Sequence, residues 1–181
     1  GSGKTTLLNL LGALERPDQG QISFRETVYS AMNNDQASKF RCHNIGFIFQ
    51  AYHLLPELNV LENVMLPGML AGRKRKFLEK RGRELLDKVG LSHRLIHHPG
   101  ELSGGEQQRA AIARSLINMP HLILADEPTG NLDSKTGSGI LEIFKEMHAE
   151  KNGHTIVMIT HDPEVAALAD TVLHLKDGVI E

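Results

Sequence analysis

The first six residues, which read GSGKTT, constrain the fold more than any other part of this 181-residue chain. Gly3, Lys4 and Thr5 correspond to the end of the phosphate-binding loop motif G-x-x-x-x-G-K-[ST]. Glycines in such a loop let backbone N–H groups turn toward phosphate oxygens, and the helix that follows points its positive end at them. Leucines at helical spacing predict that helix over residues 5–14. A Gly-Ser linker before a helix is the alternative that this segment alone leaves open.

A nucleotide in this loop would contact several side chains. We expect Lys4 to reach the β- and γ-phosphates, the Thr5 hydroxyl to ligate Mg²⁺, and Thr6 to lie near the α- and β-phosphates. The backbone of the loop would be supplied by Gly1, Ser2 and Gly3.

Composition narrows the functional classes. Lys and Arg number 20 against 22 Asp and Glu, for a net charge of −2, and aromatic residues are 4% of the chain. Nucleic-acid binding usually needs a basic excess and aromatic stacking surfaces, so we expect no nucleic-acid partner. The single Cys42 rules out an internal disulfide and a thiolate zinc cluster, and it suits a reducing cytosol. The sequence contains no apolar run of the roughly 18 residues that cross a bilayer.

Alternating strand and helix patterns predict an α/β fold with a mostly parallel sheet. The predicted strands are 22–24, 44–50, 121–128, 155–160 and 171–176. The predicted helices are 5–14, 57–66, 73–89, 106–118, 134–150 and 163–169. Residues 25–43 are polar and receive no assignment. Helices without a strand over 51–120 indicate a helical insertion within a single domain, 1–181.

One predicted strand ends in two acids. The apolar run 122–125 leads into Asp126 and Glu127. A carboxylate at the C-terminal end of a buried strand faces the crevice where α/β sheets bind ligands. We therefore expect Asp126 to hold Mg²⁺ through water and Glu127 to orient and polarise an attacking water. Solvated acids at the end of an ordinary strand are the alternative.

The segment LSGGEQQRAAIARSL, residues 102–116, offers a second helix start that suits an anion. Ser103 can cap the helix, and the two glycines after it, Gly104 and Gly105, permit close approach. An ordinary capped helix with a glycine turn is the alternative.

Taken in order along the chain, these motifs resemble those of the ATP-binding cassette (ABC) ATPases. They are GSGKTT, a glutamine (Gln50) after IGFIF, LSGGE, LILADEP, GNLD and THD. The resemblance spans essentially the whole chain and implies a P-loop NTPase fold that hydrolyses ATP with Mg²⁺.

The resemblance also implies individual roles. Gln50 would touch Mg²⁺ and the attacking water, and His161 would contact the γ-phosphate. Asp133 would link two sites across a homodimer. The γ-phosphate of the nucleotide held by the second subunit would be contacted by Ser103, Gly104 and Gly105. An integral-membrane permease would be the other partner.

Two further stretches, HLLP over 53–56 and LENV over 61–64, together with PTGNLDS, resemble the lipoprotein-releasing LolD group and its relatives MacB and FtsE. This resemblance implies lipoprotein release at the cytoplasmic face of the inner membrane, with MacB-like efflux or FtsE-like regulation of cell division as alternatives. A non-transport cassette protein and a fragment without ATP turnover are further alternatives.

The resemblance also bears on the start of the chain. Three features of the family would precede Gly1: the first glycine of the loop motif, the strand before it and an aromatic residue that stacks on adenine. We therefore expect this sequence to be an N-terminally truncated part of a longer protein. We expect the absent strand in the middle of the sheet, beside the strand that ends in Asp126. We also expect the chain alone to be poorly soluble or to bind ATP weakly, because sheet groups would lose partners.

Overall fold

Three parallel strands form the central sheet in the computed structural model, which describes residues 3–149 and 153–181. Within those ranges the helices are α1 (Lys4–Leu11), α2 (Asn34–Asn44), α3 (Val60–Leu70), α4 (Arg75–Lys88), α5 (Gly104–Ser115), α6 (Ser134–Ala149) and α7 (Pro163–Ala166). The strands are β1 (Ser23–Phe24), β2 (Thr27–Val28), β3 (Ile45–Ile48), β4 (Leu122–Asp126), β5 (Thr155–Ile159), β6 (Leu175–Lys176) and β7 (Val179–Ile180).

The strand that ends in acid lies in the middle of this sheet. The order is β3-β4-β5 and both pairings are parallel. Leu122 to Ala125 are buried, as a strand covered on both faces requires. The predicted α/β class is confirmed. The prediction that a further strand would lie beside β4 is wrong, because β3 and β5 occupy both edges of β4. The remaining strands pair as two short antiparallel ribbons, β1–β2 and β6–β7.

All regular elements between β3 and β4 are helical. Helices α3, α4 and α5 pack on one another, and a 3₁₀ turn over Pro99–Glu101 precedes α5. The predicted stripe of α4, formed by Leu85, Leu86 and Val89, is buried, and Gly90 follows it with a φ of 73°. A glycine in the left-handed region ends a helix at little steric cost, so the predicted stop signal is correct.

The unassigned stretch 25–43 contains β2 and most of α2. Helix α2 starts with a reciprocal capping box, in which Asn33 Oδ1 accepts from the Gln36 N–H and Gln36 Oε1 accepts from the Asn33 N–H. Tyr29 stacks on Phe40 with ring centroids 4.9 Å apart, and this burial raises the pKa of Tyr29 to about 12. The Tyr29 hydroxyl donates to the Leu11 carbonyl at 2.9 Å, which fastens the stretch to the end of α1.

Most predicted boundaries differ from the structure by a few residues: helix 57–66 is observed as Val60–Leu70, helix 106–118 as Gly104–Ser115 and helix 163–169 as Pro163–Ala166. Helix α1 stops at Leu11 instead of residue 14, because Ala13 adopts a left-handed φ of 52°. The predicted strand 171–176 contains only the two residues of β6. Among the residues that the structure describes, β6 pairs only with β7, across the tight turn at Asp177 and Gly178, both of which have positive φ. No helix in the described ranges is both long and apolar enough to cross a membrane.

Candidate nucleotide-binding and catalytic site

The start of α1 offers backbone donors without a side-chain cap. Gly3 has a φ of 86° and is the N-cap residue, so the cap position itself has no side chain that could bond to the first turn. The Leu7 N–H donates to the Gly3 carbonyl at 2.9 Å, so the N–H groups before Leu7 lie ahead of the helical ladder. Thr5 and Thr6 are exposed beside them. An anion fits such a start, although the predicted contacts of Gly1 and Ser2 lie outside the described residues.

Glu127 and His161 meet at the C-terminal edge of the sheet. His161 Nδ1 lies 2.7 Å from Glu127 Oε1, and the carboxylate side chain is 18% exposed against 77% for the imidazole. The hydrogen bond and the charge of Glu127 raise the pKa of His161, while the charge of Lys4 opposes this. The structure therefore brings together two predicted site residues, Glu127 and His161, and the charge of Lys4 acts on the same imidazole.

The backbone fixes Glu127 at the point where β4 ends. Its N–H donates to the Ile159 carbonyl at 3.0 Å, which continues the β4–β5 pairing one residue beyond Asp126. Glu127 then turns with a φ of 44°, and its carbonyl accepts from the Gly130 N–H at 3.0 Å. A non-glycine residue with a left-handed φ is strained, and such strained residues cluster at functional sites.

Gln50 lies against the turn that follows Glu127. Its Nε2 donates to Asn131 Oδ1 at 3.1 Å, and Asn131 Nδ2 donates back to the Gln50 carbonyl at 3.0 Å. A Cβ atom on Gly130 would lie 2.9 Å from Gln50 Nε2, so a larger residue there would displace the Gln50 amide. Sequence reasoning missed Asn131. It lies inside the recognised GNLD motif, but its partner is 81 positions away and no local pattern indicates the pair.

Ser103 caps α5 as predicted. Its Oγ accepts from the Glu106 N–H at 3.3 Å, and Glu106 Oε2 accepts from the Ser103 N–H at 2.8 Å. Arg94 donates to Glu106 Oε1 at 2.9 Å. The Ser103 N–H bond leads the factors that lower the pKa of Glu106 to about 2. Ser103 itself remains exposed.

The two glycines after Ser103 are needed for packing within the chain. A Cβ atom on Gly104 would lie 3.0 Å from the Tyr52 hydroxyl oxygen, and one on Gly105 would lie 2.3 Å from Thr136 Cγ2. The start of α5 therefore approaches the first turn of α6 more closely than a side chain permits at Gly105, and a side chain at Gly104 would press on the Tyr52 hydroxyl. This packing is a second reason for glycine here, besides the predicted contact with phosphate.

Asp133 caps α6. Its Oδ1 accepts from the Thr136 N–H at 3.1 Å, and its carbonyl accepts from the Gly137 N–H at 2.8 Å. Hydrogen bonds from Thr136 are the main reason that the pKa of Asp133 lies below its usual range. The side chain is exposed at the surface next to Asn131, as a contact with a second subunit would require.

The donor set suits Mg²⁺ bound together with a nucleotide. The described residues include no cluster of three or more His, Cys, Asp or Glu side chains that could hold a metal by themselves. The predicted ligands Thr5, Gln50 and Asp126 include one carboxylate, and Mg²⁺ is usually bound by one or two carboxylates plus substrate phosphates and water. Burial, followed by the charge of Glu127, raises the pKa of Asp126. A cation at this position would relieve that cost.

Comparison with known proteins gives a consistent result. The model of a family described as "ABC transporter" matches residues 1–130. The macrolide export ATP-binding/permease protein MacB 2 of Aeromonas hydrophila is 51% identical over the whole chain, which spans 28% of that protein. The lipoprotein-releasing system ATP-binding protein LolD of Geobacter metallireducens is 49% identical over 98% of the chain, which covers 79% of that protein.

A solved structure shows the same fold. It is a dimeric ATP-binding cassette in a post-hydrolysis state, bound to ADP and Pi. Its TM-score is 0.90 and its sequence is 42% identical over 99% of this chain and 79% of the solved chain.

Proposed function

The chain is an ATPase domain of the ABC transporter family, and from this premise we propose that it is the motor of a transporter that releases lipoproteins from the inner membrane. The observation that carries the catalytic part of this proposal is the 2.7 Å pair of Glu127 and His161 at the end of the central strand. A carboxylate there can orient and polarise water, and an imidazole beside it can contact a transferring phosphoryl group.

Each residue of the site has one task in this mechanism. Lys4 and the backbone of the first turn of α1 bind the β- and γ-phosphates. Glu127 orients the attacking water, and His161 donates to the γ-phosphate. Thr5, Gln50 and Asp126 would hold Mg²⁺, which would neutralise charge on the phosphate oxygens. Positioning and electrostatic stabilisation supply most of the rate in such reactions.

A second copy of the chain completes the site. The exposed cap of α5 would deliver Ser103, Gly104 and Gly105 to the nucleotide held by the partner copy, and Asp133 would lie between the two sites. Support comes from the solved relative, which is a dimeric ATP-binding cassette. A permease in the membrane would be driven by closure of this dimer, which would place the chain at the cytoplasmic face of the inner membrane.

The proposed cargo rests on the segment after Gln50. The HLLP and LENV stretches resemble the LolD group, and buried Asn63 joins them by bonding to the Leu55 N–H and carbonyl at 2.7 and 3.0 Å. Leu55 is 43% exposed and available to a membrane partner within the proposed helical insertion, 51–120. Macrolide-type efflux is the second candidate, because MacB relatives are as similar in sequence as LolD relatives.

The test of the catalytic proposal is ATP turnover by the intact protein with and without Glu127→Gln. We expect a loss of roughly 10²–10⁴-fold in kcat, because a positioned base contributes about that much. Glu142→Gln, an exposed carboxylate on α6, is the matched control and should keep the rate. Turnover that survives Glu127→Gln would contradict the proposal.

The cargo needs a separate experiment. The protein is purified with its membrane partner and reconstituted in vesicles that contain either a lipid-anchored protein or a macrolide. ATP-dependent release of the lipid-anchored protein supports lipoprotein release. ATP-dependent movement of the macrolide alone would replace it with the efflux alternative.

A further inference from the structure

Arg114, near the C-terminal end of α5, binds a loop that is distant in sequence. Its Nη2 donates to the Tyr52 carbonyl at 2.6 Å, and its Nη1 donates to the neighbouring His53 carbonyl. One planar guanidinium thus spans two successive carbonyls, a geometry that a lysine ammonium cannot reproduce. We name residues 50–53 the Gln50 loop.

The Gln50 loop needs such a support. Tyr52 and His53 have φ values of 58° and 49°, in the left-handed region that non-glycine residues avoid. The local bonds are two turns, from the Tyr52 N–H to the Phe49 carbonyl at 3.2 Å and from the His53 N–H to the Ala51 carbonyl at 2.6 Å. Two consecutive residues in this conformation persist when surrounding contacts hold them, and the guanidinium supplies the two contacts to their carbonyls.

The loop is also attached at two other points. Gln50 exchanges two hydrogen bonds with Asn131, and the Tyr52 hydroxyl lies against the backbone of Gly104 in the first turn of α5. Tyr52 therefore contacts the first turn of α5 through its hydroxyl and the last turn through its carbonyl. The loop that contains Gln50 is therefore linked to the start of α5, where Ser103 lies, through Tyr52 and Arg114.

We propose that Arg114 is a positioning residue that makes the Gln50 loop and helix α5 move as one body. The inference rests on the function proposed above, in which Gln50 serves the nucleotide of its own chain and Ser103 serves that of the second copy. Contact of Ser103 with the partner's nucleotide would then place Gln50 in its own site. The two ATP sites of a dimer become coupled through α5, in addition to any coupling through Asp133.

The chain offers a matched control. Arg81 on α4 also donates to two carbonyls, those of Leu116 and Ile117 at 3.0 and 3.1 Å, immediately after α5. Arg81→Met therefore removes a similar arginine fork near the same helix without touching the Gln50 loop. Arg114→Met removes the hydrogen-bond donors and keeps an apolar side chain. Arg114→Lys keeps the positive charge but places all of its N–H donors on one nitrogen, so it lacks the two-pronged geometry of the guanidinium.

Hydrogen exchange on the intact protein without nucleotide is the first readout. Arg114→Met should raise exchange of the amides of Tyr52 and His53 by about tenfold or more, Arg114→Lys should raise it less, and Arg81→Met should leave it unchanged. This readout does not depend on hydrolysis, so it stands even if the proposed function fails. Equal exchange in Arg114→Met and the unchanged protein, or equal loosening by Arg81→Met, would overturn the inference.

Steady-state kinetics are the second readout. Arg114→Met should lower kcat by about tenfold and reduce the Hill coefficient for ATP toward one, while KM changes by less than about twofold, because Lys4 and the first turn of α1 are untouched. Partial recovery of kcat by Arg114→Lys is expected. If Arg114→Met does not fold, Arg114→Lys alone decides: an unchanged Hill coefficient and unchanged exchange would contradict the role of Arg114. Absence of turnover in the unchanged protein would instead contradict the proposed function.

Discussion

His161 Nδ1 and Glu127 Oε1 lie 2.7 Å apart although the two residues are 34 positions apart in the chain. With Glu127 ionised, Nδ1 carries the hydrogen and donates it to the carboxylate. The raised pKa of His161 favours the imidazolium form, in which Nε2 also carries a hydrogen and can donate it to a phosphate oxygen. One contact thus orients both the group that would hold the water and the group that would touch the phosphate.

Removing the imidazole should separate these two tasks. We expect His161→Ala to lower kcat by roughly 10²-fold, as loss of one positioned hydrogen-bond donor does, with a smaller change in KM for ATP. Steady-state ATP turnover measures this. His43→Ala, which removes an exposed imidazole from α2, is the control and should leave kcat unchanged. A fall of the same size in both variants would show that the His161 effect is not specific to the site.

The contact between Gly105 and Thr136 predicts a change in stability. Gly105→Ala places a methyl group 2.3 Å from Thr136 Cγ2, so α5 and α6 must shift, and we expect a loss of about 1–3 kcal/mol in the free energy of unfolding. Adding Thr136→Ser to Gly105→Ala removes Cγ2 and should restore most of the loss. Gly139→Ala meets nothing within 4 Å and should stabilise α6 by about 0.5–1 kcal/mol.

Urea unfolding of these variants is the measurement. If the pair Gly105→Ala and Thr136→Ser is no more stable than Gly105→Ala alone, the close approach of Gly105 to Thr136 does not set the cost.

Glu106 should make the free energy of unfolding depend on pH in the acid range. Its pKa is about 2 in the fold against an ordinary value of 4.5, chiefly because its carboxylate accepts from the Ser103 N–H. A lowered folded-state pKa means that the ionised form stabilises the fold above pH 4.5. This contribution is lost as the pH falls from about 4.5 toward 2.

Glu106→Gln therefore should lower stability at neutral pH and flatten the decline in stability at acid pH. Urea unfolding at neutral pH and at about pH 3 compares the two forms. Glu84→Gln changes an exposed carboxylate on α4 and should keep the decline of the unchanged protein. A decline in Glu106→Gln as steep as in the unchanged protein would contradict the role of Glu106.

Buried Asn63 should hold the loop that precedes α3. Its side chain accepts from the Leu55 N–H and donates to the carbonyls of Leu55, Leu58 and Asn59, and it is fully buried. We expect Asn63→Ala to cost about 2–3 kcal/mol, because it leaves buried backbone groups unpaired.

The comparison is Asn59→Ala, which removes only the cap of α3 and should cost about 1 kcal/mol. Thermal or urea unfolding of both variants tests the difference. Equal losses would mean that the four bonds of Asn63 add nothing beyond an ordinary helix cap.

Helix α4, strand β4 and the start of α5 could be predicted from short stretches of the sequence. The stripe of Leu85, Leu86 and Val89 predicted α4, an apolar run into Asp126 predicted β4, and Ser103 predicted the start of α5. Each of these features is determined by neighbours in the chain. The box of Asn33 and Gln36 at the start of α2 is equally local and was a readable signal for the helix within 25–43.

The contacts that organise the site are of another kind. Gln50 pairs with Asn131, and Arg114 reaches the carbonyls of Tyr52 and His53, which lie more than 60 positions before it. Which carbonyl an arginine reaches depends on how helices pack, and periodicity carries no such information. The sequence of β4 likewise does not indicate which strands pair with it, so its position between β3 and β5 is known only from the structure.

The most direct test of the ATP-driven dimer uses Glu127→Gln with Mg-ATP in analytical ultracentrifugation. Without hydrolysis the nucleotide should hold two copies together, each site being completed by Ser103 of the other copy. We predict a shift from one copy to two on addition of Mg-ATP, with two nucleotides bound per dimer, and no shift when Ser103→Arg is added. A Glu127→Gln protein that binds Mg-ATP to saturation and remains a single copy would contradict the account.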